Sequence, residues 1–291
     1  MKPAPFRYHR VSELSEATSL IASLENSRVL AGGQSLIPMM NMRYVIANHL
    51  IDLNPISCLS NIRFNSNRFV IGAMTRQREL LFSTELLQYA PIFSEALQLV
   101  GHVQTRNRGT IGGSLSHLDP AAELPGLLAL YEGTLKLSKH RSSRIVSMKE
   151  FVLGYMTPCT EPNEILTEVS FDVWPKGHGY DFREFSQRHG DFAIVGVGTL
   201  MTLDVNKCIN RIACVLIGID YQPIRLREIE DELMGQTPSN EIFGKAGEQA
   251  RTLNMMEDAL IPESYRKQLA AVLLKRSLLS SANRAGGLTD D

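Results

Sequence analysis

Two glycine pairs, each at the end of an apolar strand, constrain the fold of this chain more than any other feature. The first is Gly32-Gly33-Gln34-Ser35, after the predicted strand Arg28–Ala31, and the second is Thr110-Ile111-Gly112-Gly113-Ser114. Glycine has no Cβ, so consecutive backbone amides can turn toward an anion. A helix beginning at Ser35 would add its N-terminal dipole. One such segment alone is usually a tight turn, but two in one chain predict a pair of phosphate-binding loops.

These segments match none of the common nucleotide or nucleophile motifs. The chain lacks the Gly-x-x-x-x-Gly-Lys-Ser/Thr motif of P-loops and the Gly-x-Gly-x-x-Gly fingerprint of dinucleotide folds. Gly196-Val197-Gly198 lacks the third glycine and lies in a predicted strand. No Gly-x-Ser-x-Gly nucleophile elbow is present either. Hydrolase chemistry therefore has no support in the sequence.

The charge balance argues against a nucleic-acid partner. The 291 residues carry 30 Lys+Arg and 31 Asp+Glu, without the positive field that phosphate backbones require. No run approaches the roughly 20 apolar residues of a membrane span, and the N-terminus lacks the apolar stretch of a signal peptide. We expect a cytoplasmic chain with no transmembrane segment. Its four cysteines lie too far apart to hold zinc or an iron–sulfur cluster, so no metal is expected on this chain.

The order of helical and strand patterns predicts an α+β protein in three parts. An α/β unit closes at Asn54-Pro55, which gives a first domain over 1–55. A second unit of strands and helices, 56–176, ends in a turn rich in Pro and Gly. Residues 177–291 are predicted to form three antiparallel strands followed by three helices.

Six segments spread along the chain occur in a distinctive order and spacing. They are Phe6–Arg10, Ala31–Pro38, Gly109–Ser114, Asp119–Pro125, Arg188–Val195 and Tyr265–Arg276. Together they resemble the FAD-binding medium subunit of the molybdenum hydroxylases, the family of aerobic carbon monoxide dehydrogenase and xanthine dehydrogenase. The resemblance implies an FAD-binding fold of the vanillyl-alcohol-oxidase (PCMH) type with two subdomains. A C-terminal domain of the carbon monoxide dehydrogenase flavoprotein type, with a three-stranded antiparallel sheet and helices, would follow it.

The resemblance also implies a noncovalent FAD between two N-terminal subdomains, with its pyrophosphate on the glycine loops. The main contacts would be Ala31, Gly32, Gly33, Gln34, Ser35, Leu36, Thr110, Ile111, Gly112, Gly113 and Ser114. Further contacts would come from Glu123, Ile165, Arg183, Asp191 and Phe192. In this interpretation Glu123 accepts hydrogen bonds from hydroxyl groups of FAD, and Phe192 covers one face of the flavin ring.

Three of these positions have plainer interpretations. Glu123 can simply cap or solubilise the start of a helix, Arg183 can be an ordinary charge at a strand edge, and Phe192 can belong to the core with the apolar residues that follow it. The glycine loops have the least ambiguous pattern of the whole set.

The sequence departs from the family pattern at two positions of the loops. Gln34 stands where relatives often have histidine, and glutamine cannot form the covalent link to flavin that a histidine can, so we expect dissociable FAD. Ser114 replaces a common asparagine, which shortens the side chain that makes one hydrogen bond in the family. The absence of a cysteine cluster disfavours the subgroup that reduces aromatic thioesters with an additional iron–sulfur cluster.

The resemblance implies an electron-transfer subunit with no catalytic acid–base residue of its own. A large molybdopterin subunit would hydroxylate the substrate, and a small subunit with two 2Fe–2S clusters would pass electrons to the FAD, in a dimer of heterotrimers. The alternatives are a self-contained FAD oxidoreductase and a non-catalytic nucleotide-binding assembly protein. Carbon monoxide, an N-heteroaromatic compound or an aldehyde all fit as the substrate of the complex, and the electron acceptor is equally open.

Overall fold

The structure, a computed structural model, describes residues 1–286. In that range the helices are α1 (Leu14–Ser23), α2 (Leu36–Asn41), α3 (Gln77–Leu81), α4 (Thr84–Tyr89), α5 (Ile92–Leu99), α6 (Val103–Arg108), α7 (Ile111–His117), α8 (Glu123–Leu130), α9 (Met148–Phe151), α10 (Arg227–Leu233), α11 (Asn240–Ala250) and α12 (Glu263–Arg284). The strands are β1 (Arg7–Arg10), β2 (Ser27–Leu30), β3 (His49–Asp52), β4 (Ile62–Asn65), β5 (Arg68–Gly72), β6 (Thr134–Lys139), β7 (Ser142–Ser147), β8 (Val152–Gly154), β9 (Thr157–Pro158), β10 (Ile165–Asp172), β11 (Gly179–Phe185), β12 (Val195–Leu203), β13 (Ile209–Ile217) and β14 (Ile224–Arg225).

The chain forms two compact units, each assembled from separate stretches of sequence. The first unit consists of Met1–Leu80, His102–Leu118 and Gly133–Asp172. The second consists of Leu81–Gly101, Asp119–Glu132 and Val173–Asp291, of which residues up to 286 are described. The predicted division into 1–55, 56–176 and 177–291 follows the chain continuously and stays a prediction.

The first unit contains two larger sheets and an apolar core. Its parallel sheet has the order β1-β3-β2, and its antiparallel sheet has the order β4-β5-β10-β6-β7. Strand β3 is central and almost wholly buried because its apolar residues Leu50 and Ile51 have neighbouring strands on both sides. The core cluster consists of Val11, Ala17, Ile51, Leu53, Ile56, Leu59, Met74 and Ile165.

The second unit is built on an antiparallel sheet of order β11-β12-β13-β14. Helix α8 packs on β13, where a Cβ at Gly126 would lie 2.6 Å from Cγ2 of Ile217. Apolar residues of α11 and α12, among them Phe243 and Leu274, share a core cluster with Val195 and Val197 of β12. The predicted antiparallel sheet with helices is confirmed. The two-residue strand β14 adds a fourth strand that the sequence pattern did not predict.

Small residues allow α12 to approach the sheet closely. The hydroxyl of Thr199 lies 2.7 Å from Oγ of Ser277 and 2.6 Å from Oγ of Ser281, and all three side chains are buried. A Cβ at Gly179 would lie only 1.7 Å from the carbonyl oxygen of Ser281. Because that oxygen belongs to the helix backbone, no side-chain movement can make room for it.

We predict that Gly179→Ala lowers the thermal unfolding midpoint by about 5 °C or more, because helix and sheet must separate to admit the methyl group. Gly244→Ala is the matched control: it lies on α11, and a Cβ there meets no atom within 4 Å. That change should leave the midpoint equal or slightly higher, since alanine favours helix. Equal midpoints for the two variants would contradict the packing argument.

Candidate functional site

The first glycine loop connects β2 to α2 and touches the start of the second glycine segment. A Cβ at Gly32 would lie 2.2 Å from the carbonyl oxygen of Arg108 and 2.8 Å from the Cα of Gly109. Both are backbone atoms, so no rotamer change at a neighbour can accommodate a side chain here. Gly33 has a φ of 74°, in the left-handed region that side chains disfavour. The contact between the two segments therefore requires glycine at position 32.

The backbone amides of the first loop are available to a ligand. Within residues 1–286, the amides of Gly32, Gly33 and Gln34 donate to no protein acceptor. Ser35 has helical backbone angles just before α2, but its hydroxyl caps no amide of that helix. Leu36, the first residue of α2, packs on the cluster around Met40. The loop thus presents consecutive amides and a hydroxyl, the donor set that an anionic oxygen prefers.

The second glycine segment folds as the beginning of α7. Thr110 is its N-cap residue, and its hydroxyl accepts a hydrogen bond from the amide of Gly113 at 3.0 Å. The amides of Ile111, Gly112 and Ser114 donate to backbone carbonyls at 2.8–3.1 Å. The interpretation of this segment as a nest of free amides therefore needs correction. It contributes instead hydroxyl groups and a surface without bulky side chains.

The structure brings the two predicted segments together. A Cβ at Gly113 would lie 3.6 Å from the Cβ of Ala31, in ordinary contact distance. Two side chains that the sequence pattern did not indicate connect the segments: Asn54 donates to the carbonyl of Ala31 at 2.9 Å, and Arg76 donates to the carbonyl of Arg108. The one available signal was a polar residue, Asn54, just after the buried strand β3.

Two buried carboxyl groups interact in the second unit. Glu123, the first residue of α8, is 8% exposed, and Glu184 on β11 is half-buried. Burial, followed by repulsion from Glu184, raises the pKa of Glu123 to about 8. Burial also raises the pKa of Glu184 to about 7. At neutral pH Glu123 retains its proton and Glu184 is partly protonated, so these carboxyl groups can donate hydrogen bonds as well as accept them. A solubilising role for Glu123 at the helix start is excluded by its burial.

Two further residues that were predicted to contact FAD, Arg183 and Ile165, are fixed by interactions within the protein. Arg183 is bound by the buried Asp181, with Nε 2.6 Å from Oδ2 and Nη2 2.7 Å from Oδ1. The hydrogen bonds to Asp181 raise the pKa of Arg183, which remains a fixed cation. Ile165, the first residue of β10, is 3% exposed and belongs to the core of the first unit. Its side chain therefore serves packing.

Asp191 and Phe192 lie in the loop between β11 and β12. The side chain of Phe192 is 67% exposed, which excludes the alternative that it belongs to the core. The amide of Asp191 donates to the carbonyl of Arg188 at 3.0 Å. At the end of the loop, the buried Arg266 of α12 donates to the carbonyl of Ile194. An exposed aromatic ring on an anchored loop is suited to covering a planar ligand.

The part of the chain that the structure describes contains no group of three or more His, Cys, Asp or Glu that could hold a metal ion. Cys58, Cys159, Cys208 and Cys214 are free thiols. No helix within residues 1–286 combines the length and the apolar character needed to cross a bilayer.

Two family models together match most of the chain. Residues 4–174 match the FAD binding domain in molybdopterin dehydrogenase. Residues 180–281 match the CO dehydrogenase flavoprotein C-terminal domain.

Relatives and solved structures match over nearly the full length. The chain is 35% identical to the 6-hydroxypseudooxynicotine dehydrogenase complex subunit alpha of Paenarthrobacter nicotinovorans, covering 98% of this chain and 97% of the relative. It is 33% identical to the carbon monoxide dehydrogenase medium chain of Afipia carboxidovorans, covering 98% and 99%. The structure of carbon monoxide dehydrogenase from Hydrogenophaga pseudoflava, which lacks the Mo-pyranopterin moiety of the molybdenum cofactor, superposes with a TM-score of 0.93 at 31% identity, covering 98% and 99%.

The chain belongs to the FAD-binding subunits of the molybdopterin dehydrogenases, the molybdenum hydroxylase family. The predicted family, the α+β fold and the role as the FAD subunit of an oxidoreductase are thereby confirmed. The individual contact residues stay predictions.

We predict that Glu123→Gln makes the stability of the FAD-free protein less dependent on pH. The folded pKa of about 8 lies above the ordinary value of 4.5, so the wild type loses stability as the pH rises between these two values. Glutamine cannot ionise, so the thermal unfolding midpoint of the variant should rise relative to that of wild type as the pH approaches about 8.

The measurement is the thermal unfolding midpoint from about pH 5 to about pH 8.5. Glu228→Gln, on an exposed position of α10, is the control and should run parallel to wild type. If the Glu123→Gln profile also ran parallel to wild type, the raised pKa would be refuted.

Proposed function

We propose that this chain binds FAD noncovalently through the glycine loops and transfers electrons from the 2Fe–2S clusters of a small subunit to an external acceptor. The observation that carries the proposal is the first loop, where consecutive free amides are held against the second segment by a contact that admits no Cβ. A diphosphate is the part of FAD that such a donor set suits best.

The residues present fit this cofactor. Bound flavin can accept electrons singly and release them as a pair, which is the chemistry that this junction needs. The amides of Gly32 to Gln34 would bind phosphate oxygens, and the hydroxyls of Ser35 and Ser114 would add side-chain donors. Gln34 is exposed, and its side-chain amide can form hydrogen bonds but no covalent bond to the flavin. The chain's own work is binding and orientation, so no general base is required.

Residues of the second unit are proposed to contact the flavin as well. Glu123 and its partner Glu184 can exchange hydrogen bonds with hydroxyl groups of the ligand, since the pair retains protons at neutral pH. Arg183 supplies a fixed positive charge, which favours an electron-rich flavin. Asp191 and Phe192 would lie beside the ring system, and Ile165 would contribute backbone only. These assignments rest on the family resemblance together with the burial and hydrogen bonds described above.

We further propose a dimer of heterotrimers with a large molybdopterin subunit and a small subunit with two 2Fe–2S clusters, located in the cytoplasm. Relatives are subunits of multi-subunit dehydrogenases, and the absence of a metal ligand set from residues 1–286 supports clusters on other chains. Four free thiols suit a reducing compartment. Relatives include a carbon monoxide dehydrogenase medium chain and a caffeine dehydrogenase subunit beta, so we assign the choice of substrate to the large partner subunit.

We predict that Gly33→Asp weakens FAD binding at least about tenfold more than Gly33→Asn, because the two side chains share a shape and only aspartate repels the pyrophosphate. Both residues tolerate the left-handed backbone. Binding is measured by titrating FAD into the FAD-free chain, with acid release to confirm that the flavin is noncovalent. Gly154→Ala is the neutral control, because a Cβ there meets no atom within 4 Å. Equal affinities of the Asp and Asn variants would remove the loop from the site.

We predict that gentle purification of the natively expressed chain yields a complex containing molybdenum and iron. The measurement is metal analysis and mass spectrometry of the co-purifying chains. A chain that emerged alone, free of both metals, and still oxidised a substrate at about 10 turnovers per second would be a self-contained flavin oxidoreductase. A colourless chain that FAD did not reconstitute would instead support the assembly-protein alternative.

A further inference from the structure

A polar network lies within the first unit and links the two glycine segments through side chains. Arg76 follows β5 by a few residues and precedes α3, where it is partly buried. Its Nη1 donates to the carbonyl of Arg108, the same oxygen that closes over the Cα of Gly32. Its Nη2 donates to Oδ1 of Asn54. One guanidinium thus holds the backbone before the second segment and a side chain that contacts the first.

Asn54 completes the connection to the first loop. Its Nδ2 donates to the carbonyl of Ala31 at 2.9 Å, and its backbone amide donates to Oδ1 of Asp52 at 2.9 Å. Asp52 in turn accepts a hydrogen bond from the hydroxyl of Tyr8 at 2.5 Å. The network therefore runs from β1 and β3 through Asn54 to both glycine segments.

Backbone contacts hold Arg76 itself in register with the second segment. Arg76 forms an antiparallel bridge with Thr110. On either side, the amide of Gln77 donates to the carbonyl of Gly109 at 2.9 Å and the amide of Ile111 donates to the carbonyl of Thr75 at 3.1 Å. The guanidinium is therefore presented from a fixed backbone, as a positioning group needs.

We propose that Arg76 and Asn54 act together as positioning residues that set the spacing of the two glycine segments for the diphosphate of FAD. This inference rests on the proposed FAD binding and adds to it two residues that touch no part of the expected ligand. Each segment alone is a short loop or a helix start, and the pair forms one binding surface only while the spacing is held. Because Nη1 and Nη2 each donate to a protein acceptor, the role of Arg76 is to hold the loops in place.

The test is FAD titration into the FAD-free full chain for Arg76→Met, Asn54→Ala, the double variant and Arg76→Lys. We expect each of the first two to weaken FAD binding about tenfold. The double variant should bind no more than about twofold more weakly than the worse single variant, because both belong to one connection. Arg76→Lys keeps the charge and a single donor site, and it should recover part of the affinity.

The matched control is Arg63→Met, which removes an exposed arginine of β4 that donates to Glu168, and it should leave the affinity unchanged. Salt dependence separates positioning from direct contact: Arg76→Met should keep the wild-type slope of log Kd against log salt concentration, since no phosphate contact is lost. A smaller slope would overturn positioning in favour of direct contact. Additive losses, or unchanged FAD affinity with only a lower unfolding midpoint, would overturn the inference as well.

The same titration distinguishes a failure of the proposed FAD binding from a failure of the proposed positioning role. If wild type and Arg63→Met do not bind FAD, the proposed function itself fails. If they bind FAD and Arg76→Met binds it equally well, only the positioning role fails.

Discussion

The glycine region depends on one steric constraint: two backbone segments must touch with no side chain between them. At Gly32 even a methyl group would collide with the carbonyl of Arg108, and this contact determines where the first loop lies. The amides of the second segment are used within the protein, by residues around Thr110 and by carbonyls of the preceding chain. The two segments therefore have different tasks. The first segment supplies free backbone amides, and the second segment packs against it and holds those amides in position.

Acidic side chains of one chemical class behave in opposite ways in the two units because their partners differ. Burial disfavours the charge of Asp52, but hydrogen bonds from Tyr8 and Asn54 outweigh burial and lower its pKa, so it stays an anion in the network. Glu123 is also buried, but its strongest neighbour is another carboxyl group, Glu184, and its pKa rises. A nearly neutral chain can therefore place a fixed anion in one unit and a proton-retaining pair in the other.

The glycine pairs marked two special backbone segments because glycine has a direct steric meaning that does not depend on distant residues, and the structure places these segments in contact. Their contacts with FAD stay predictions. The strands of the C-terminal sheet were also predictable from the sequence, since runs such as Val195–Leu203 are mainly apolar. The Arg76–Asn54 connection was not predictable, because it joins side chains 22 positions apart whose meeting depends on the completed fold. The same holds for Glu184, whose neighbour Glu123 comes from a distant element. The amides around Gly112 donate within the protein because this segment begins helix α7, which the glycine pattern did not indicate.

The interleaving of the two units has a consequence for how the protein can be divided and made. Helices α5 and α8 belong to the second unit, yet they leave the ribosome before β11 and β13, the strands on which they pack. Until those strands are synthesised, apolar residues of α8 such as Leu124 and Leu127 have no sheet to cover them. A cut between the two matched regions, near residue 177, would leave the same helix faces open permanently. The boundary between the two matched regions therefore separates α5 and α8 from the sheet on which they pack.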